Sequence, residues 1–188
     1  MSKYYEFLKR EKTWDSGLKI IKTPVVKIPW AILQVCTTIA GRIPYEFSIL
    51  VKAKRTNEGY KLEEDYVIPE QEVTYTSVEY KEDLEKYKKQ GYIAVIHRHP
   101  NGVRNFSIAD EESINVHFPV SILFVDGNFA TAVISVPFNN DTIIQVEAEI
   151  QMIHPDVAVK GIENITVKER EKEGWEKWGS WRNDFPYL

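Results

Sequence analysis

Cysteine, histidine and long apolar runs are all scarce in this sequence. One cysteine in 188 residues excludes an internal disulfide framework and points to a reducing interior. No apolar run approaches the roughly 20 residues that a membrane-spanning helix needs. The opening Met1-Ser2-Lys3-Tyr4-Tyr5-Glu6 lacks the apolar segment of a secretory signal, so a cytoplasmic location without a membrane partner is expected. Positive charge is not in surplus: 24 Lys and Arg against 28 Asp and Glu leave a net charge of -4, which gives no general attraction to nucleic acid. The sequence has no Gly-rich phosphate loop, internal repeat or low-complexity linker.

An apolar content of 43% and a charged content of 28% fit a globular chain long enough to bury a sizeable core. Strand-like segments at 18–22 and 25–28 precede a helix that starts at Pro29-Trp30. Its apolar positions Ile32, Leu33, Val35, Cys36, Ile39 and Ala40 recur at three- and four-residue spacing, and Gly41 is a stop signal. Cys36 lies on that apolar face and reads as a buried thiol rather than a nucleophile. A strand over 46–53, a polar stretch with a turn at Asn57-Glu58-Gly59, strands at 66–69 and 73–76, and a charged helix over 82–90 follow. Farther on, 119–125 and 130–136 read as two strands joined by Asp126-Gly127-Asn128, a hairpin signature, and 142–153 as another strand. Strands interspersed with helices predict an α/β (α+β) domain.

The chemistry concentrates in His97-Arg98-His99-Pro100-Asn101-Gly102-Val103-Arg104-Asn105-Phe106-Ser107-Ile108-Ala109-Asp110. Tyr92-Ile93-Ala94-Val95-Ile96 reads as a buried strand, and if it runs on through His99 both imidazoles share one face, with Arg98 on the other. Pro100 ends the strand, Asn101-Gly102 turns, and Ser107 opens a helix over 108–117 with Asp110 in its first turn. One strand end and one helix start can thus bring His97, His99 and Asp110 to one point. Three such ligands leave a fourth position open for water, as in catalytic zinc sites. Ser107 and Asp110 also form a capping box, which explains both residues without any chemistry. His117 and His154 have no partner at ligand spacing; His154 reads as a surface residue.

His-x-His-Pro, with seven residues between His99 and Ser107 and then x-x-Asp, resembles the motif of the JAMM (MPN-plus) zinc metalloproteases. That motif also needs an upstream glutamate at the start of a strand that follows a helix, and Pro44-Tyr45-Glu46-Phe47-Ser48 supplies one. The resemblance covers residues 18–137. Arg98 stands where the family usually has Ser or Thr. The resemblance implies a single MPN/JAB-like domain over residues 18–155, with a mixed curved β-sheet flanked by helices in a cytidine-deaminase-like arrangement. It implies Zn2+ on His97, His99 and Asp110, Glu46 as general base, and Ser107 as a donor to the oxyanion. The implied reaction is hydrolysis of the amide bond after the C-terminus of a ubiquitin-like or sulfur-carrier protein. A compact chain resembles the archaeal and viral or plasmid-borne branch.

Two alternatives share these features. One is a non-catalytic scaffold of the same fold. The other is a RadC-type protein associated with DNA repair, whose later Asp-His segment has no counterpart here. Residues 1–17 read as an N-terminal arm. Residues 156–188 read as an extension, with a strand at 162–167, a charged helix start at 168–173, and Trp175, Trp178 and Trp181 at three-residue spacing. That stripe suits docking on the parent domain or, alternatively, self-association or a partner surface.

Overall fold

In the computed structural model, residues 22–100, 102–139 and 142–156 are described. The expected arm at 1–17, the segment at 18–21, Asn101, and the extension with its tryptophan stripe lie outside them. Strand β1 (Val25–Pro29) leads straight into helix α1 (Trp30–Ala40), which buries Ile32, Leu33 and Cys36, as its apolar spacing predicts. Strands β2 (Ser48–Thr56) and β3 (Gly59–Val67) form a hairpin about Asn57-Glu58. Gly59 has φ 146°, and a Cβ there would lie 2.2 Å from the Val25 carbonyl oxygen, so only glycine lets β1 pair against β3 at this point.

A short antiparallel pair follows, β4 (Gln71–Val73) with β5 (Val78–Tyr80). The strand expected at 73–76 is instead a turn, because the Thr74 N–H donates to the Ser77 carbonyl at 2.9 Å and their hydroxyls meet at 2.7 Å. The strand expected at 66–69 is the end of β3. The helix expected over 82–90 shrinks to the single turn α2 (Glu85–Lys88), which buries no residue and so gains little from packing.

Strand β6 (Ala94–Arg98) carries the first histidine; after the crossover helices α3 (Ile108–Glu112) and α4 (Ile114–His117) the chain enters β7 (Val120–Val125), parallel to β6. A parallel pair requires such a crossover, and this one delivers the helix start to the carboxyl end of β6. The helix expected to run unbroken over 108–117 divides at Ser113. Asn115 there turns inward to the Gln145 side chain (3.4 Å), and its carbonyl accepts from the Ser135 hydroxyl. Strands β8 (Asn128–Asn139) and β9 (Thr142–Ile153) complete the sheet, with Asp126 (φ 51°) and Gly127 (φ 77°) forming the tight β7–β8 turn.

The sheet is mixed, in the order β1-β3-β2-β6-β7-β8-β9, and β9 pairs back onto β1. The expected curved α/β sheet is thus curved to the point of closure. Its main core holds Val26, Ile28, Ile49, Val51, Ile96, Ile122 and Phe124, with α1 packed against it. No helix among the described residues is long and apolar enough to cross a membrane.

Candidate metal centre

His97 and His99 emerge at the carboxyl end of β6 and face the same side, as period-two alternation requires; their ring centroids lie 5.0 Å apart at 88°. Both are buried, at 2% and 7% exposure. Arg98, between them, points the other way. Its guanidinium donates to the Ile43 and Tyr45 carbonyls, at 2.6 Å each, and lies over the Phe47 ring. Arg98 thus ties down the loop leading into Glu46.

Glu46 sits in the extended lead-in to β2, two residues ahead of the strand itself, and its N–H donates to the Thr74 carbonyl at 2.9 Å. Its carboxylate is buried at 8% exposure and comes within 3.4 Å of His97 Nε2. Asp110, in the first turn of α3, places Oδ1 3.4 Å from His97 Nε2 and Oδ2 3.2 Å from His99 Nε2. Ligand atoms on a tetrahedral zinc ion at about 2.0–2.1 Å stand about 3.3 Å apart; each separation is close to that, with Asp110 meeting the two histidines through different oxygens. Ligand atoms of Glu46, His97 and His99 also all lie within 4.8 Å of one another.

The capping box is formed in full. Ser107 Oγ accepts from the Asp110 N–H (3.1 Å), while the Ser107 N–H (2.8 Å) and hydroxyl (2.7 Å) both donate to Asp110 Oδ2. The box therefore orients the carboxylate toward the histidines as well as starting the helix. Burial pushes the Asp110 carboxyl up, but the His99 hydrogen bond, the neighbouring His97 and the two bonds from Ser107 outweigh it and hold the group at about 2.

Both histidines have their outer nitrogen engaged. His99 Nδ1 faces the Val103 carbonyl at 3.2 Å, which can only accept, so Nδ1 carries a proton and Nε2 turns to the centre. Burial opposes charge on His99, yet the Asp110 hydrogen bond and charge, the Val103 carbonyl and Glu46 together raise its pKa above the ordinary value. His97 Nδ1 meets the Ser48 hydroxyl at 3.0 Å. Its Nε2 is buried, aimed between two carboxylates, and has no hydrogen-bond partner. A buried orphan nitrogen is costly unless something binds it. The donor set, two imidazoles and two carboxylates, fits a zinc ion.

These groups line a cleft of about 580 Å³, with Tyr80, Leu84, Ile114 and Phe118 forming part of its wall. Three polar residues around the histidine pair were not singled out from sequence. Ser48 lies directly opposite His97 in the β2–β6 register, and Tyr80 closes β5 beside it. Gln71 is a third, its side-chain amide clamping the Ser48 backbone with bonds of 2.9 and 2.8 Å. His117 lines the cleft, and His154 is exposed with its ring tilted 35° against Trp30 at 5.0 Å. The Cys36 thiol is buried and pushed up to about 12 by that burial, which makes it inert.

No family model and no curated protein matches the sequence. Among solved structures, the chain is similar to a JAB1/MPN domain protein from Archaeoglobus fulgidus, at 15% identity and a TM-score of 0.40, over 68% of this chain and 96% of that one. It is also similar to a structure described as JAMM, a metalloprotease-like zinc site in the proteasome and signalosome, at 13% identity and a TM-score of 0.38, over 69% and 98% of the two chains.

Proposed function

We propose that this chain is a zinc-dependent amide hydrolase of the JAMM type. Its substrate class is the bond that joins the C-terminus of a ubiquitin-like or sulfur-carrier protein to an amine. The observation that carries the reading is His97 Nε2, buried and unpartnered between the Glu46 and Asp110 carboxylates with His99 alongside. His97, His99 and Asp110 would hold the ion. Zinc, when bound, supplies Lewis acidity and lowers the pKa of water toward about 7. Glu46 takes a proton from the attacking water and passes it to the leaving amine. Ser107 fixes the Asp110 carboxylate through its hydroxyl and its backbone N–H. The apolar walls of the cleft exclude bulk water from the reacting amide and give an extended C-terminal tail a surface to bury. The single cysteine supports placing the protein in the cytoplasm.

The test begins with elemental analysis of the purified full chain. One zinc per chain, and cleavage of a panel of ubiquitin-like and sulfur-carrier fusions at the modifier's C-terminus, is the expected result. A chain that neither carries zinc nor takes it up overturns the reading in favour of a scaffold. Zinc without cleavage of any fusion keeps the metal centre and overturns the proposed substrate class.

A further inference from the structure

The hydrolase reading requires a donor for the negative charge that develops on the acyl oxygen. Ser107 is ill placed to be that donor as it stands. Its hydroxyl proton already goes to Asp110 Oδ2 at 2.7 Å, and its oxygen accepts from the Asp110 N–H. A hydroxyl carries one proton, so Ser107 has none to offer without abandoning the carboxylate it orients.

Tyr80 has one. It ends β5 and pairs in register with Gln71, whose amide grips both backbone groups of Ser48. This ties the phenol to the same strand start that carries Glu46 and Ser48. The Tyr80 hydroxyl is buried and makes no well-formed hydrogen bond among the described residues; the Ser48 hydroxyl is its polar neighbour, at poor geometry. It lines the cleft with Glu46, His97, His99 and Asp110, and Ser48 and Asp110 are the polar side chains that act on it. The Ser48 hydroxyl is already engaged by His97. A buried hydroxyl left unpaired bears its full desolvation cost, so such a group calls for a partner, whether a water, an ion or a ligand.

We infer that Tyr80 is a further catalytic residue, whose hydroxyl donates a hydrogen bond to the acyl oxygen of the substrate as it becomes anionic. This rests on the zinc hydrolase reading. Preorganised donors at the developing oxyanion act in the transition state more than on the bound substrate, so Tyr80 belongs to rate rather than to zinc affinity.

The test uses full-length protein loaded with zinc and phenylphosphonate, a tetrahedral anion that resembles the hydrolytic intermediate. Tyr80→Phe should weaken phenylphosphonate binding about tenfold, the loss of one hydrogen bond to a charged acceptor. It should keep one zinc per chain. Its thermal midpoint should equal or exceed that of the wild type, because the deleted hydroxyl makes no well-formed hydrogen bond in the free protein. Equal phenylphosphonate affinity in the two proteins overturns the inference. So does a lowered midpoint in the variant, which marks a structural role, and so does zinc-loaded wild type that ignores the probe. A wild type that takes up no zinc is a separate result, and it removes the hydrolase reading on which the inference stands.

Discussion

The Ser48 hydroxyl lies 3.0 Å from His97 Nδ1, and the two residues face each other across the β2–β6 ladder. Both are buried, at 0% and 2% exposure. If His97 is to present a lone pair at Nε2, Nδ1 must carry the proton and Ser48 must accept it. Ser48→Ala should therefore lower zinc affinity by about 10- to 100-fold, the usual effect of losing an outer partner of a metal histidine. Competition against a chromophoric chelator measures this; unchanged affinity would show that the hydroxyl does not set the tautomer.

Glu46 and Asp110 both approach His97 Nε2 at 3.4 Å, yet the proposed roles differ. Glu46→Gln keeps the shape and a neutral oxygen but cannot take a proton. It should retain zinc and lose about 10²- to 10⁴-fold in hydrolysis. Asp110→Ala should lose zinc outright, since it removes a ligand and the acceptor for His99. Zinc content and turnover measured on the same two preparations decide the matter; equal zinc loss in both would place Glu46 among the ligands.

Ser107 has a structural duty that its chemistry cannot hide. Its side chain caps α3 and holds the Asp110 carboxylate. Ser107→Ala should lower stability by about 1 kcal/mol, the ordinary worth of such a cap. It should also loosen zinc binding, because of the two Ser107 donors the carboxylate then keeps only the backbone N–H. Denaturant unfolding of the zinc-free protein isolates the first effect, and an unchanged midpoint would count against it.

Arg98 is expected to act at a distance through the Ile43–Tyr45 carbonyls. Both bonds leave from the single Nη1, and a lysine ends one bond short of that position and lacks the planar group that lies over the Phe47 ring. Arg98→Lys should destabilise the fold by about 1 kcal/mol and slow hydrolysis while leaving zinc in place. The readout is turnover at saturating zinc, and full activity would detach Arg98 from the placement of Glu46.

The histidine pair was legible in the sequence because period-two alternation and Pro100 are local facts. So was α1, from its apolar spacing. Glu46 could be chosen from its context, though the strand itself begins only at Ser48. Ser48 was within reach of the same argument, since a residue two positions from Glu46 on an extended chain faces the same way. Gln71 and Tyr80 were not. Strands β4 and β5 have three residues each, too short for a periodic signal, and their position depends on the Gln71 amide meeting Ser48 and the Thr74 carbonyl meeting Glu46 from far along the chain. Closure of the sheet was hidden for a similar reason: β1 pairs with β9 through backbone groups that no side-chain pattern announces. The break at Ser113 escaped because Asn115 takes its partner from β9, a tertiary contact that overrides helix propensity.

The zinc-free protein should be most stable in a window set by Asp110 and His99. The Asp110 carboxyl is held at about 2 against an ordinary 3.8, so its contribution is present above 3.8 and is lost as pH falls through about 2. His99 is raised above its ordinary 6.5, so its contribution is present below 6.5 and is lost as pH rises through the folded value. The thermal midpoint of chelator-treated protein should therefore fall on both sides of the interval between 3.8 and 6.5. Exposed carboxylates such as Asp65 and Glu72 are lowered by their lysine partners and add to the acid limb alone. Asp110→Asn isolates the local share by flattening both limbs, because it removes the titrating carboxylate and the charge that raises His99. Zinc should abolish the alkaline limb in the wild type, since the ion takes the place of the His99 Nε2 proton, and zinc affinity should in turn weaken as pH falls below the His99 value. Melting curves from pH 2 to 8, with and without zinc, test each part. An alkaline limb that survives zinc loading would mean that His99 does not exchange its proton for the metal.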